Sequence, residues 1–282
     1  MLRGIYTGAS GMVVQMDKMN AIANNMANVD TTGYKRDTAV MKSFPQLLIR
    51  RIGDNGVYKF PFGSADTAPV VGQLGTGVEL NEVYTEFTQG PMKQTGNPFD
   101  LALNGQGFFT VQTPEGQRYT RNGTFLINKD GMLVDDQGDA VLGEKGPIFL
   151  KKNNFVVDKE GRIYQNPEFA GDPNRLVSKS ENTWTNRELV DTLKIVDFPE
   201  RRYLEKQGNS QWKATDNSGR PAQVDLGRAT EVEQGFLEGS NVNPVTSMVN
   251  MIEVNRAYEA NQKTIQTQDS LADKLINDAV KV

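Results

Sequence analysis

Cysteine and histidine are both missing from this chain of 282 residues. Without cysteine there is no disulfide, no thiolate nucleophile and no thiolate metal ligand. Without histidine the commonest general base and the commonest metal ligand are gone as well. A basic excess is lacking too. Lys and Arg number 31 against 35 Asp and Glu, for a net charge of −4, which argues against a nucleic-acid partner. No apolar run approaches the ~18 residues of a membrane-spanning helix, so no membrane insertion is expected. The first residues lack a charged stretch followed by an apolar one, so no cleavable signal peptide is expected. The hydrophobic fraction of 37% is low for one compact globule. It suits a chain that buries much of its surface only on assembly.

What the chain does have is helical periodicity at both ends. Near the C-terminus Asn243 is a fair N-cap and Pro244 stands where its missing N–H costs nothing. No Gly or Pro follows. Val245, Met248, Ile252, Tyr258, Ile265, Ala272, Leu275 and Ala279 recur at helical spacing and predict one apolar stripe. At ~1.5 Å per residue such a helix spans about 50 Å. Its stripe is interrupted by Asn255, Asn261, Gln262 and Gln268, so a monomer buries it poorly and a partner is implied. The N-terminus offers one. Ile5, Ala9, Met12, Met16, Met19, Ala23 and Met26 repeat at steps of four and three. Methionine suits a surface that repacks against several neighbours. Asn24, Asn25 and Asn28 are poor helix formers in a helix with few charges, which implies that most of its faces touch protein. Asp30 to Gly33 ends the helix.

Between the helices the chain reads as β. Asn55-Gly56, set between Ile49–Asp54 and Val57–Phe62, is a two-residue hairpin signal. Its apolar content is high for an exposed loop, and Tyr58 and Phe60 are expected to bury their rings against another subunit. Leu101, Leu103, Phe109 and Val111 alternate with other residues as a strand does. Asn104-Gly105, Asn122-Gly123 and Asp130-Gly131 read as tight turns. Phe155–Val157, Arg162–Tyr164 and Thr192–Phe198 are further strands. The order predicts an α+β subunit. Its terminal helices (1–33 and 236–282) form an antiparallel coiled-coil stem, residues 98–225 form a central all-β domain, and 34–97 with 226–235 form an extension and linker strands.

Three separated blocks carry a resemblance. Ala23 to Arg36 (ANNMANVDTTGYKR) resembles the N-terminal signature of the bacterial flagellar rod and hook proteins. Asp100 to Phe109 (DLALNGQGFF) with Tyr119 to Gly123 (YTRNG) resembles their central signature. Ser240-Asn241-Val242, Met248 to Ile252 (MVNMI) and Arg256 to Glu259 (RAYE) resemble the C-terminal one. The resemblance implies a basal-body rod subunit that polymerises into a hollow helical drive shaft around an export channel. Its partners would be itself and other rod and hook subunits, with the export apparatus met in transit. Its place would be the periplasmic part of the basal body. Leu2 to Tyr6 resembles the proximal rod subunit, whereas Arg256 to Glu259 resembles the distal one. The subunit-interface residues implied are Ile5, Met12, Met16, Met19, Asn24, Asn25, Met26 and Asn28, then Tyr58 and Phe60, then Met248, Ile252, Arg256, Tyr258, Ile265 and Leu275.

No enzyme, metal or cofactor is expected. Asp130, Asp135, Asp136 and Asp139 cluster on turns, where aspartate bonds its own backbone. A calcium loop opening at Asp130 lacks the acidic ligand at its twelfth position. Gly105-Gln106-Gly107 runs into Phe108-Phe109, a strand, and misses the third glycine of a dinucleotide fingerprint. One rival of another class stays open at this point: a periplasmic peptidoglycan-cleaving enzyme using Asp135 and Asp136 as its acidic pair.

Overall fold

Helix α1 covers Leu2–Ala27 and helix α2 covers Pro244–Val280 in a computed structural model of the chain. It describes residues 2–51, 58–60, 63–65, 70–171, 175–182, 184–228 and 230–280. Pro244 is the first residue of α2, as its fixed φ and absent N–H dictate. After α1 the chain turns at Gly33, whose φ of 66° is left-handed. The fold is mixed α+β: a helix, a β-rich middle, and a helix.

The chain divides into two compact units. One comprises Met1–Asn24, Asp37–Tyr84 and Val245–Val282. In it, strands nest in antiparallel pairs along one excursion of the chain. Asp37–Ser43 pairs with Val78–Thr85, Leu47–Arg50 with Val70–Leu74, and Tyr58–Phe60 with Gly63–Ala65. This corrects the hairpin read at Asn55-Gly56. Ile49 lies opposite Gly72 and Tyr58 opposite Ala65, so the described residues of the two runs flanking that dipeptide do not pair with each other. Asn55-Gly56 itself lies outside the described residues.

The other unit comprises Asn25–Arg36 and Thr85–Pro244. The strand Phe108–Thr113 is its middle. It pairs with Gly116–Thr120 on one side and with Ala140–Val141 and Ile195–Asp197 on the other. Successive side chains of a strand point to opposite faces, and both faces of this one are covered. Phe109 joins Leu101, Leu103, Phe125, Ile163 and Ile195 in one core. Phe108 joins Tyr119, Phe198 and Trp212 in another. Burying a side chain of this size contributes about 1.5–3 kcal/mol, so the Phe108-Phe109 pair anchors two layers at once.

Two turn readings change. Leu101–Gly105 does not fold back on the next strand through Asn104-Gly105; it pairs with Thr230–Gln234 from far along the chain. Gly123 marks a close approach: a β-carbon there would stand 1.6 Å from the Leu101 carbonyl oxygen, which no side chain can satisfy. Asp130-Gly131 is a turn as read, with Gly131 N donating to Asn128 O and Leu126–Ile127 pairing back on Leu133–Val134. The run Thr192–Phe198 is split. Glu188–Thr192 joins Arg162–Gln165, while Ile195–Asp197 joins Phe108–Thr113.

Candidate functional site

Where α1 and α2 touch, glycine faces side chains. A β-carbon on Gly4 would stand 3.2 Å from Gln268 Cδ, one on Gly8 2.9 Å from Ile265 Cγ1, and one on Gly11 2.8 Å from Asn261 Nδ2. Rising positions on α1 meet falling positions on α2, so the helices run in opposite directions along this contact. The spacing is four and three on both helices, the period of a continuous seam. Val14, at 2% exposure, and Val254, also 2%, are the most buried apolar side chains of the two helices.

That seam is not the stripe expected from the apolar pattern. Asn261 and Gln268, read as interruptions, lie against glycines. Ile265 is in the seam, and Tyr258 is half-buried. Met248, Ile252 and Leu275 are exposed at 54%, 54% and 53%, beside Val245, Val249, Leu271 and Ile276, all exposed. On α1, Ile5, Met12, Met19 and Met26 are half-buried, while Met16, Tyr6 and Val13 are exposed. Asn24 and Arg256 are exposed and Asn28 half-buried. Asn25 is buried and accepts a 3.1 Å hydrogen bond from the Tyr34 hydroxyl. The backbone of Tyr58–Phe60 is a strand, but the side chains of Tyr58 and Phe60 lie outside what the structure describes. The neighbouring pair Leu47–Arg50 and Val70–Leu74 exposes Leu47, Leu48, Ile49, Val70 and Val71.

The other unit holds a buried charge cluster that no sequence pattern signalled. Glu238 is fully buried. Its Oε1 accepts from Lys35 Nζ at 2.5 Å and Gly90 N at 2.9 Å, and its Oε2 from Arg121 Nη1 at 3.1 Å. Lys35 also donates to Thr88 O at 2.7 Å, and Arg121 Nη2 to Gly105 O at 2.8 Å. Burial pushes the Lys35 ammonium below its ordinary value of 10.5, against the pull of Glu238. Burial likewise lowers Arg121. Lys35 and Arg121 stand inside the blocks noted above. Their spacing from Glu238 along the chain hides the association.

The acidic pair does not form a catalytic site. The Asp135 carboxylate is buried and accepts from Gln137 N, Asp139 N and Gln211 Nε2, so it shapes its turn. Burial pushes its carboxyl up, and the backbone donors at Asp139 and Gln137 pull it back. Asp136 is exposed. Among the described residues no group of three acidic side chains is placed to hold a metal, and no helix is long and apolar enough to cross a membrane.

Comparison with known proteins gives one answer. Residues 5–35 match the family described as flagella basal body rod protein. Residues 102–165 match the flagellar hook protein FlgE/F/G D1 domain, and 233–278 the flagellar basal body rod FlgEFG protein C-terminal family. The flagellar basal-body rod protein FlgG of Buchnera aphidicola (subsp. Acyrthosiphon pisum) is 34% identical over 98% of this chain and 99% of its own length. The flagellar hook-basal body complex protein FlhO of Bacillus subtilis is 31% identical over the whole of both chains. The flagellar basal-body rod protein FlgF of Caulobacter vibrioides is 30% identical over 95% of this chain and 94% of its own.

Proposed function

The chain belongs to the flagellar basal-body rod protein family, and from that premise we propose how it does its work. It is a structural subunit of the basal body, not an enzyme; nothing supports the cell-wall hydrolase reading. It assembles with other rod and hook subunits. In our reading α1 and α2 of each copy form an antiparallel coiled-coil stem, residues 1–33 with 236–282. Stems from many copies pack into an inner tube around an export channel. Residues 98–225 form the outer wall, and 34–97 with 226–235 tie neighbouring copies together. A head-to-tail contact that does not close on itself generates a helical filament, here a shaft that transmits torque. The subunit reaches the periplasm unfolded through the export apparatus.

The observation that carries this reading is the apolar face α2 leaves open once α1 is in place: Val245, Met248, Val249 and Ile252 near its start, Leu271, Leu275 and Ile276 near its end. Clusters of exposed apolar side chains of this kind mark a protein contact. The test is Ile252→Asp. Position 252 is 54% exposed in the lone chain, so unfolding of the monomer is expected to shift by less than about 0.5 kcal/mol. Assembly buries the new carboxylate without a partner, so cells carrying the variant should make no rods and should not swim. Normal swimming would place residue 252 outside the packed stems.

A further inference from the structure

The segments that lead out of α1 and into α2 meet inside the β-rich unit. Gly33 N donates to Glu238 O at 2.8 Å, and Asn241 N to Tyr34 O at 3.4 Å. Arg36 N donates to Asn241 Oδ1 at 2.8 Å. Asn241 Nδ2 in turn donates to Glu86 O at 2.8 Å and to Thr88 Oγ1 at 3.0 Å, and Glu86 N donates to Arg36 O at 2.9 Å. The Lys35–Glu238 ion pair lies among these bonds, with both side chains fully buried. The backbones touch as well. A β-carbon on Gly33 would stand 2.4 Å from Asn122 N, and one on Gly90 2.0 Å from Gly239 O. Residues 33–36, 86–90 and 238–241 thus form one clasp, all of it within the unit of Asn25–Arg36 and Thr85–Pro244.

The clasp changes the length of chain that separates the helices. α1 ends at Ala27 and α2 begins at Pro244. With the clasp open, a loop of about 220 residues must close to bring those ends together; with it closed, about ten residues remain. Closure probability falls roughly as the three-halves power of loop length, so the shorter path favours pairing on the order of 100-fold. The seam needs that help. Of the three α2 side chains that face Gly4, Gly8 and Gly11, only Ile265 is apolar, and glycine against an amide side chain buries little apolar area to drive the contact. The clasp is held by other means, an ion pair sealed from water and a net of backbone hydrogen bonds.

We infer that the clasp is a latch on helix pairing. α1 and α2 come together only after the β-rich unit has closed around Lys35, Glu238 and Asn241, none of which lies in either helix. Its contacts join the two ends of the β-rich unit, so it cannot close until residue 241 is in place. A subunit whose β-rich unit is incomplete therefore does not offer paired helices to its neighbours. That use, as a check on assembly, rests on the assembly reading above; the latch itself does not.

The absence of native cysteine lets a thiol pair report the seam. Gly11→Cys with Asn261→Cys puts one thiol on each helix, where a β-carbon at 11 would lie 3.2 Å from Asn261 Cγ. Equilibrium with reduced and oxidised glutathione gives the effective concentration of one thiol for the other. It is measured in the monomer across a urea series, while tryptophan emission follows the β-rich unit through the buried Trp212. At the midpoint of the emission change the effective concentration should fall at least about tenfold, as the path between the thiols lengthens. Lys35→Met weakens the clasp and should move both changes to lower urea together. Gly4→Cys with Gln268→Cys gives a second reading if the first pair disturbs the seam. An effective concentration that passes through the emission midpoint unchanged overturns the latch, as does a fall that Lys35→Met leaves in place. The readout is taken on the lone chain, so a failure of rods to assemble counts against the assembly reading and not against the latch.

Discussion

Glu238 neutralises two cations that have nowhere else to go, and this sets an order among substitutions. Removing one partner of a buried ion pair leaves the other charge uncompensated, at a cost of about 3–5 kcal/mol. Glu238→Gln strands both Lys35 and Arg121 and should cost that much or more. Lys35→Met leaves the Arg121–Glu238 pair intact and should cost less, about 1–3 kcal/mol. Urea unfolding followed by tryptophan emission measures both, since Trp212 is fully buried; the reverse order would show that Glu238 is not the hub. The same cluster fixes a pH slope. The unfolded lysine keeps its proton up to about 10.5, and the folded one releases it sooner. In that interval the unfolded chain binds more protons, so the Lys35 contribution to stability rises with pH as 10.5 is approached. Lys35→Met should lose this component of the slope. None of this was legible in the sequence. Lys35 and Glu238 are joined only by the fold, and periodicity carries no information about such a pair.

At the scale of elements, both helices and several strands could be read from local pattern, because amphipathic spacing and Pro244 act over a few residues. The seam between the helices could not. Two rows at heptad spacing lie side by side on α1, one of Met and Ala and one of Gly4, Gly8 and Gly11. Apolar scoring favours the first. Contact with α2 uses the second, because glycine lets Asn261, Ile265 and Gln268 approach the backbone. Gly8→Val should therefore part α1 from α2, although valine favours a helix more than glycine does. Circular dichroism of the monomer should show lost helix while tryptophan emission stays native. Gly4→Ala should be tolerated, as its nearest neighbour is the flexible end of Gln268. Strand partners were hidden for another reason: Leu101–Gly105 meets Thr230–Gln234, and alternation names a strand without naming its partner. The nested strands from Leu47 to Leu74 give a further test. Phe44 N donates to Gly77 O at 3.0 Å, so the chain can be closed there. Deleting 47–74 should leave the rest of the subunit folded and exported but yield rods that bend or break under load, seen by electron microscopy of basal bodies. Straight, intact rods would make this segment a passive excursion.

For the whole molecule, the apolar surface left open carries the most weight. With 37% hydrophobic residues and apolar side chains exposed on α2, the lone chain leaves apolar surface that a protein neighbour would cover. The acidic turn that kept an enzyme reading alive is accounted for by the bonds Asp135 makes to its own loop. The three family matches lie at the two ends and in the middle, the parts that the helix and strand patterns also single out. The most direct test of the account is a reconstruction of the assembled rod by electron cryomicroscopy at side-chain resolution. The account predicts α1 and α2 in the inner shell, with Met248, Ile252 and Leu275 packed against helices of other copies. Finding those three side chains in the aqueous channel, or facing solvent as they do in the lone chain, would contradict it.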